Sequence, residues 1–215
     1  HGAHIWDSTN HATTVEAGFA MFTSYSGTPS GSAIVSFHKG QTLVSEHQIL
    51  SGSIRESWFP IETYPSIVRH GQTSFTLFAT NDTEGAADVR LLVYNEDGQL
   101  LKRTYQILPA GRQVAFTHVD LADKGNFRGS VRIISDIAIA MTAEQKTVNL
   151  RNETITALLP SMTSTGSPKS TVLFPIYRDG PEQATQLFLL NGTEDNRIEF
   201  NFYREDGTEL SAILR

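Results

Sequence analysis

The sequence predicts an all-β protein made of immunoglobulin-like antiparallel β-sandwiches, about two domain equivalents in all, with the second split between the chain ends. Three observations predict it. Apolar residues alternate with polar ones, or run in short blocks rich in Val, Ile, Phe, Tyr and Thr. Gly, Asn, Asp and Pro interrupt these blocks at roughly strand-and-turn spacing. The chain also repeats itself. Phe59-Pro60-Ile61 returns at Phe174-Pro175-Ile176, Thr80 to Glu84 returns as Leu190 to Glu194, and Tyr94 to Gly98 returns as Tyr203 to Gly207, at offsets of 115, 110 and 109. A second match, at an offset of 98, relates Gly31 to Val35 with Gly129 to Ile133, and Leu43 to Glu46 with Met141 to Glu144.

The repeats divide the chain into the back half of one unit (residues 1–57), a complete central unit (58–165) and the front half of another (166–215). Small polar residues from Ser161 to Pro168 read as the second connector, and Ser51-Gly52-Ser53 leads into the first.

In the amino-terminal segment, strands are expected at Gly18 to Thr23, Ala33 to Phe37 and Thr42 to Ile49. The central unit should hold seven, at Ser74 to Ala79, Asp88 to Tyr94, Leu100 to Leu108, Gln113 to His118, Ser130 to Ser135, Ala138 to Gln145 and Thr154 to Leu159. Four more are expected between Leu173 and Leu214. In Ile198 to Tyr203 the strict alternation implies one buried face and one wet face. Asn95-Glu96-Asp97-Gly98 places Gly where a tight hairpin needs positive φ, and Arg204 to Gly207 repeats it. Val119 to Lys124 suits no more than a helical turn.

Seventeen basic against 23 acidic residues, without a basic cluster, disfavour nucleic-acid binding. No apolar run has the roughly 18 residues of a membrane-spanning helix. The chain contains no cysteine, which excludes disulfides, thiolate metal sites and cysteine nucleophiles. Neither a Gly-x-Ser-x-Gly elbow nor a His-Glu-x-x-His motif occurs, so no catalytic residues and no cofactor are expected.

Together, Phe59-Pro60, Asn81, Tyr94 to Gly98, Pro109-Ala110-Gly111 and Gly129 to Asp136 resemble a β-sandwich repeat of secreted and surface proteins of bacteria. The resemblance covers the central unit fully and the flanking halves partly. It implies an extracytoplasmic protein, secreted or on the cell surface, often with many repeats, and it supplies no catalytic residues. The amino-terminal half departs most, since Phe37-His38-Lys39-Gly40 stands where the central unit has its Ser135-Asp136 turn.

Half-sandwiches left alone expose apolar faces and unpaired edges. The ends therefore close on each other within one chain, pair between molecules, or belong to a longer array. The residues expected to carry assembly are Phe19, Phe22, Ile34, Val35, Leu187, Phe188, Phe200, Phe202 and Ile213. Partners are then other copies or neighbouring repeats, or a surface protein or glycan. A carbohydrate-binding role would use Trp6 and Trp58 to stack on sugar rings, against the alternative that both pack in cores or junctions. A third reading is copper held by the amino-terminal His1 with a second imidazole such as His4. Acidic turns such as Asn81 to Glu84 could offer oxygens to calcium, but turn capping is the simpler use. Asn81, Asn152 and Asn191 each begin a glycosylation acceptor pattern.

Overall fold

The computed structural model describes residues 20, 32–39, 42–50, 52–64, 71–117, 125–159, 161–162, 201–203 and 208–210. The chain forms two compact units, residues 1–165 and 166–215. In the first lie a hairpin, β1 (Ser32–Lys39) with β2 (Thr42–Leu50), and a sandwich of β3 (Ile54–Thr63), β4 (Gln72–Asn81), β5 (Ala87–Asn95), β6 (Leu100–Leu108), β7 (Arg112–Thr117), β8 (Phe127–Val148) and β9 (Thr154–Leu159). The second contributes a short hairpin, β10 (Phe202–Tyr203) with β11 (Glu209–Leu210).

Among the described residues all strand pairs are antiparallel, and β8 organises those of the sandwich. Its first half lies between β3 and β5, giving a sheet ordered β3-β8-β5-β6. Its second half lies between β4 and β9, giving a sheet ordered β7-β4-β8-β9. The all-β sandwich class is thus the one the alternation predicts. Phe59, Ile61, Val89, Leu91, Val93, Val131 and Ile133 face inward from the first sheet; Phe75, Leu77, Ala79, Phe116 and Ala143 belong to the second, and all are buried in one core. Fully burying a side chain of Val, Leu, Ile or Phe contributes about 1.5–3 kcal/mol, so this cluster is the main source of stability.

Two expectations need correction. Ser130 to Ser135 and Ala138 to Gln145 are not separate strands joined at a Ser135-Asp136 turn; β8 runs through both. Asp136 explains how. Its Oδ1 accepts from the backbone N–H of Asp88 at 2.8 Å and of Ile137 at 3.0 Å, satisfying donors where the strand passes from one sheet to the other. Asp136→Ala is expected to cost about 1 kcal/mol in urea denaturation, while Asp136→Asn, which keeps an acceptor oxygen, should recover most of it.

The second correction is β3, a whole strand where the sequence suggests a junction and a Phe-Pro opening, and one that crosses the division at residues 57 and 58. Pro60 fits because β3 has a ladder partner, β8, along one side. Among the described residues its other side meets a single bridge, Trp58 with Met162, closed by N–H to O bonds of 2.7 and 2.9 Å.

The turns follow the sequence closely. Gly98 takes φ 75° in the β5–β6 turn, where its N–H bonds Asn95 O at 3.1 Å. Gly129 is required for a different reason: a Cβ there would stand 2.0 Å from the Tyr94 carbonyl oxygen. The segment Val119 to Lys124 lies outside the described residues, and of the strand expected at Gly18 to Thr23 only Ala20 is described, with no strand assigned to it.

The repeat matches acquire structural meaning. In the central unit Tyr94 pairs with Leu100; in the second unit Tyr203 pairs with Glu209, each member displaced by 109 residues. The β10–β11 hairpin is therefore the counterpart of β5–β6. The match at 98 residues makes β1 and β2 together the counterpart of β8, yet they fold back on each other instead of running through. Sequence accounts for the difference. His38 stands where β8 has the stapling Asp136, and Gly40 stands where β8 has Ala138.

Candidate functional site

Two surfaces merit description. The first is the outer face of the β3-β8-β5 sheet. Ser57, Phe59 and Ile61 point into the core, so the period of two turns Glu56, Trp58 and Glu62 the other way. Trp58 pairs with Arg132 on β8, which pairs in turn with Leu92 on β5. The Arg132 guanidinium donates two bonds to Glu56, Nε to Oε1 and Nη2 to Oε2, both at 3.0 Å. Its central carbon lies 5.4 Å from the centroid of the Trp58 ring. Trp58 also packs against Tyr94, with centroids 5.3 Å apart and planes tilted by 33°.

Electrostatics lock this face. Hydrogen bonding to Glu56 raises the Arg132 pKa above the ordinary arginine value, with burial opposing it. Arg128 adds ion pairs to Glu62 at 3.1 Å and Glu96 at 3.4 Å. Tyr64 donates to Glu62 at 2.6 Å, and that bond, followed by burial, raises the pKa of its phenol. The residues around Trp58 thus tie three strands together, and the indole ring is half-buried and already engaged by Arg132 and Tyr94.

The second surface is the β1–β2 hairpin. Ile34 is 66% exposed and Val35 49%, whereas Ile133, the counterpart of Val35, is fully buried in β8. Ser32 and Ala33 are exposed too, while Val131, the counterpart of Ala33, is fully buried. Leu43 is half-exposed on β2. The hairpin meets the sandwich beside β9, where the half-buried His47 bonds through Nε2 with the Thr156 carbonyl oxygen. Residues that serve as core in one copy of the repeat thus face solvent in the other.

No family model matches the chain, and no curated protein matches it. Among solved structures, the chain is similar to Thermotoga maritima 1070, with a TM-score of 0.41 and 15% identity over 51% of this chain and 96% of that one. It is also similar to the Anabaena sensory rhodopsin transducer, with a TM-score of 0.35 and 19% identity over 43% of this chain and 97% of that one. Likeness at this level bears on neither activity nor partners.

Of the expected site residues, Ile34, Val35, Trp58 and Phe202 fall on described strands. His1, His4, Trp6, Phe19, Phe22, Leu187, Phe188, Phe200 and Ile213 lie outside the described residues. Among the described residues no group of three or more His, Cys, Asp or Glu could hold a metal ion, and no helix is long and apolar enough to cross a membrane. Asn81 is a structural residue. It is fully buried, its Nδ2 donates to Gly85 O at 2.7 Å and Leu108 O at 3.0 Å, and its Oδ1 accepts from the N–H of Thr83 at 3.0 Å. Those bonds occupy the amide that glycosylation would use and the oxygen that calcium would use. What sequence reading missed is the company of Trp58: Glu56, Tyr94 and Arg132 come from three strands, and only the register of β3, β8 and β5 brings them to one place.

Proposed function

We propose that the chain is a non-enzymatic structural and adhesive module of the cell exterior that self-associates by β-strand complementation, forming oligomers or filaments. One observation carries this reading: β1 exposes Ala33 and Val35, whose repeat counterparts Val131 and Ile133 are core. Burying Ile34 and Val35 against another strand would contribute a few kcal/mol, about the scale on which weak assemblies are held. The resemblance of the motif set to repeats of secreted bacterial proteins supports the location and the immunoglobulin-like lineage. A glycan platform at Trp58 has less support, because Arg132 and Tyr94 already pack against the ring.

Light scattering over a wide concentration range tests the proposal. The unaltered chain is expected to gain mass as concentration rises, and Ile34→Lys with Val35→Lys to remove most of that gain without changing the circular dichroism spectrum. A chain that stays monomeric throughout would overturn it.

A further inference from the structure

We infer that two copies of the chain join edge to edge through β6, each strand pairing antiparallel with its own copy about Thr104. The contact adds to the self-association proposed above and stands on a different strand, so the two can fail separately.

β6 ends its sheet. Among the described residues it pairs with β5 and with no other strand. An end strand of nine residues presents a row of backbone donors and acceptors that a second strand can take up. Its side chains leave it open on both faces. Leu108 alone is buried, while Leu101, Tyr105 and Ile107 are 56%, 63% and 64% exposed. The ladder sets Thr104 opposite the buried Leu91 and Tyr105 opposite the exposed Arg90, so Lys102, Thr104 and Gln106 continue the inner face and Arg103, Tyr105 and Ile107 the outer. The Ile107 carbonyl oxygen accepts from Nε2 of its exposed neighbour Gln106 at 3.1 Å, a side chain that an incoming strand can displace.

The residues of β6 select a second copy as the occupant. Lys102 and Arg103 lie on one side of Thr104, and the uncharged Tyr105 and Gln106 on the other. An antiparallel copy sets each half against the other. Centred on Thr104, the pairing puts Arg103 opposite Tyr105 of the second copy and Lys102 opposite its Gln106, with Leu101 and Ile107 meeting apolar to apolar at either end. Centring on Lys102 or Arg103 would instead set like charges directly opposite. A two-fold axis through Thr104 returns inner face to inner face, so the two sheets become one and the contact closes as a dimer.

Because the chain has no cysteine, one engineered thiol reports this register. Thr104→Cys, oxidised at a concentration where light scattering shows association, should yield a disulfide-linked homodimer. Gln106→Cys alone should not, since four residues of offset separate its two thiols by about 13 Å, well beyond disulfide reach. Mixing Gln106→Cys with Lys102→Cys should restore the link as a heterodimer. By light scattering, the chain with Ile34→Lys and Val35→Lys, which blocks β1, should stop at twice the monomer mass. Adding Thr104→Lys, which sets two ammonium groups face to face, should return it to the monomer with an unchanged circular dichroism spectrum.

A β1-blocked chain that stays monomeric, or a Thr104→Cys chain that links no more than the Gln106→Cys control, overturns the β6 contact and leaves the reading from β1 standing. A Thr104→Cys thiol that iodoacetamide cannot reach in the dilute monomer would show another segment of the same chain lying on β6, and would overturn it too. Absence of any association in the unaltered chain removes both readings.

Discussion

Ile133→Ala is expected to cost about 3–4 kcal/mol of unfolding free energy, while Val35→Ala, at the counterpart position, should change the stability of the monomer by less than about 0.5 kcal/mol. Ile133 is fully buried between β3 and β5, opposite Ser57 and Leu91, so truncation opens a cavity that the surrounding sheet cannot close. Val35 is 49% exposed on β1 and has much less packing to lose. Urea denaturation at low concentration measures both. The more informative comparison is at high concentration, where Val35→Ala should weaken association although it leaves the monomer almost untouched. Equal and large losses in the dilute monomer would mean that β1 is already packed as β8 is, and would undo the argument from exposure.

The central fold was largely legible because its signals are local. Alternation in Val89 to Tyr94 and the turn at Asn95 to Gly98 depend on residues adjacent in sequence, and both appear in β5 and the turn that follows it. The two misreadings arose where a polar or rigid residue serves a distant partner. Asp136 looks like turn chemistry, but its carboxylate serves the Asp88 amide 48 residues away, which keeps β8 continuous. Pro60 interrupts a strand pattern on paper, yet a strand with one ladder partner tolerates a residue without an N–H.

The site was less legible for the same reason. Trp58 stood out by residue type alone, but its role depends on Arg132, Glu56 and Tyr94, which converge only through strand register. The β1–β2 surface was visible as apolar sequence. That it is a solvent-facing copy of a core strand emerges only when the exposures of Val35 and Ile133 are compared. Motif residues such as Asn81, Gly98, Gly129 and Asp136 all prove to satisfy backbone groups, permit turns or allow close approach. Their contacts are those of a scaffold.

Asn81→Ala is expected to destabilise the chain by about 2–4 kcal/mol, more than most polar substitutions, because one amide serves several main-chain groups at once. Removing it takes the amide donor from the Gly85 and Leu108 carbonyls, the first of which keeps only the Thr83 hydroxyl at 3.1 Å, and leaves the Thr83 N–H without its acceptor, around a fully buried position at the end of β4. The bond to Leu108 also ties the end of β4 to the end of β6, beside the ladder pair of Ala87 and Leu108. Asn81→Asp separates hydrogen bonding from volume. The carboxylate keeps the size and the acceptor but cannot donate, and it would face two carbonyl oxygens in a dry site. Burial and those oxygens favour its protonated form, so the folded-state pKa lies above the unfolded value, and stability should rise as pH falls through that interval. Thermal melts of Asn81→Asp from neutral to mildly acidic pH check this sign. A flat or falling profile, or an Asn81→Ala loss under about 1 kcal/mol, would mean that water replaces the amide and that the turn does not depend on it.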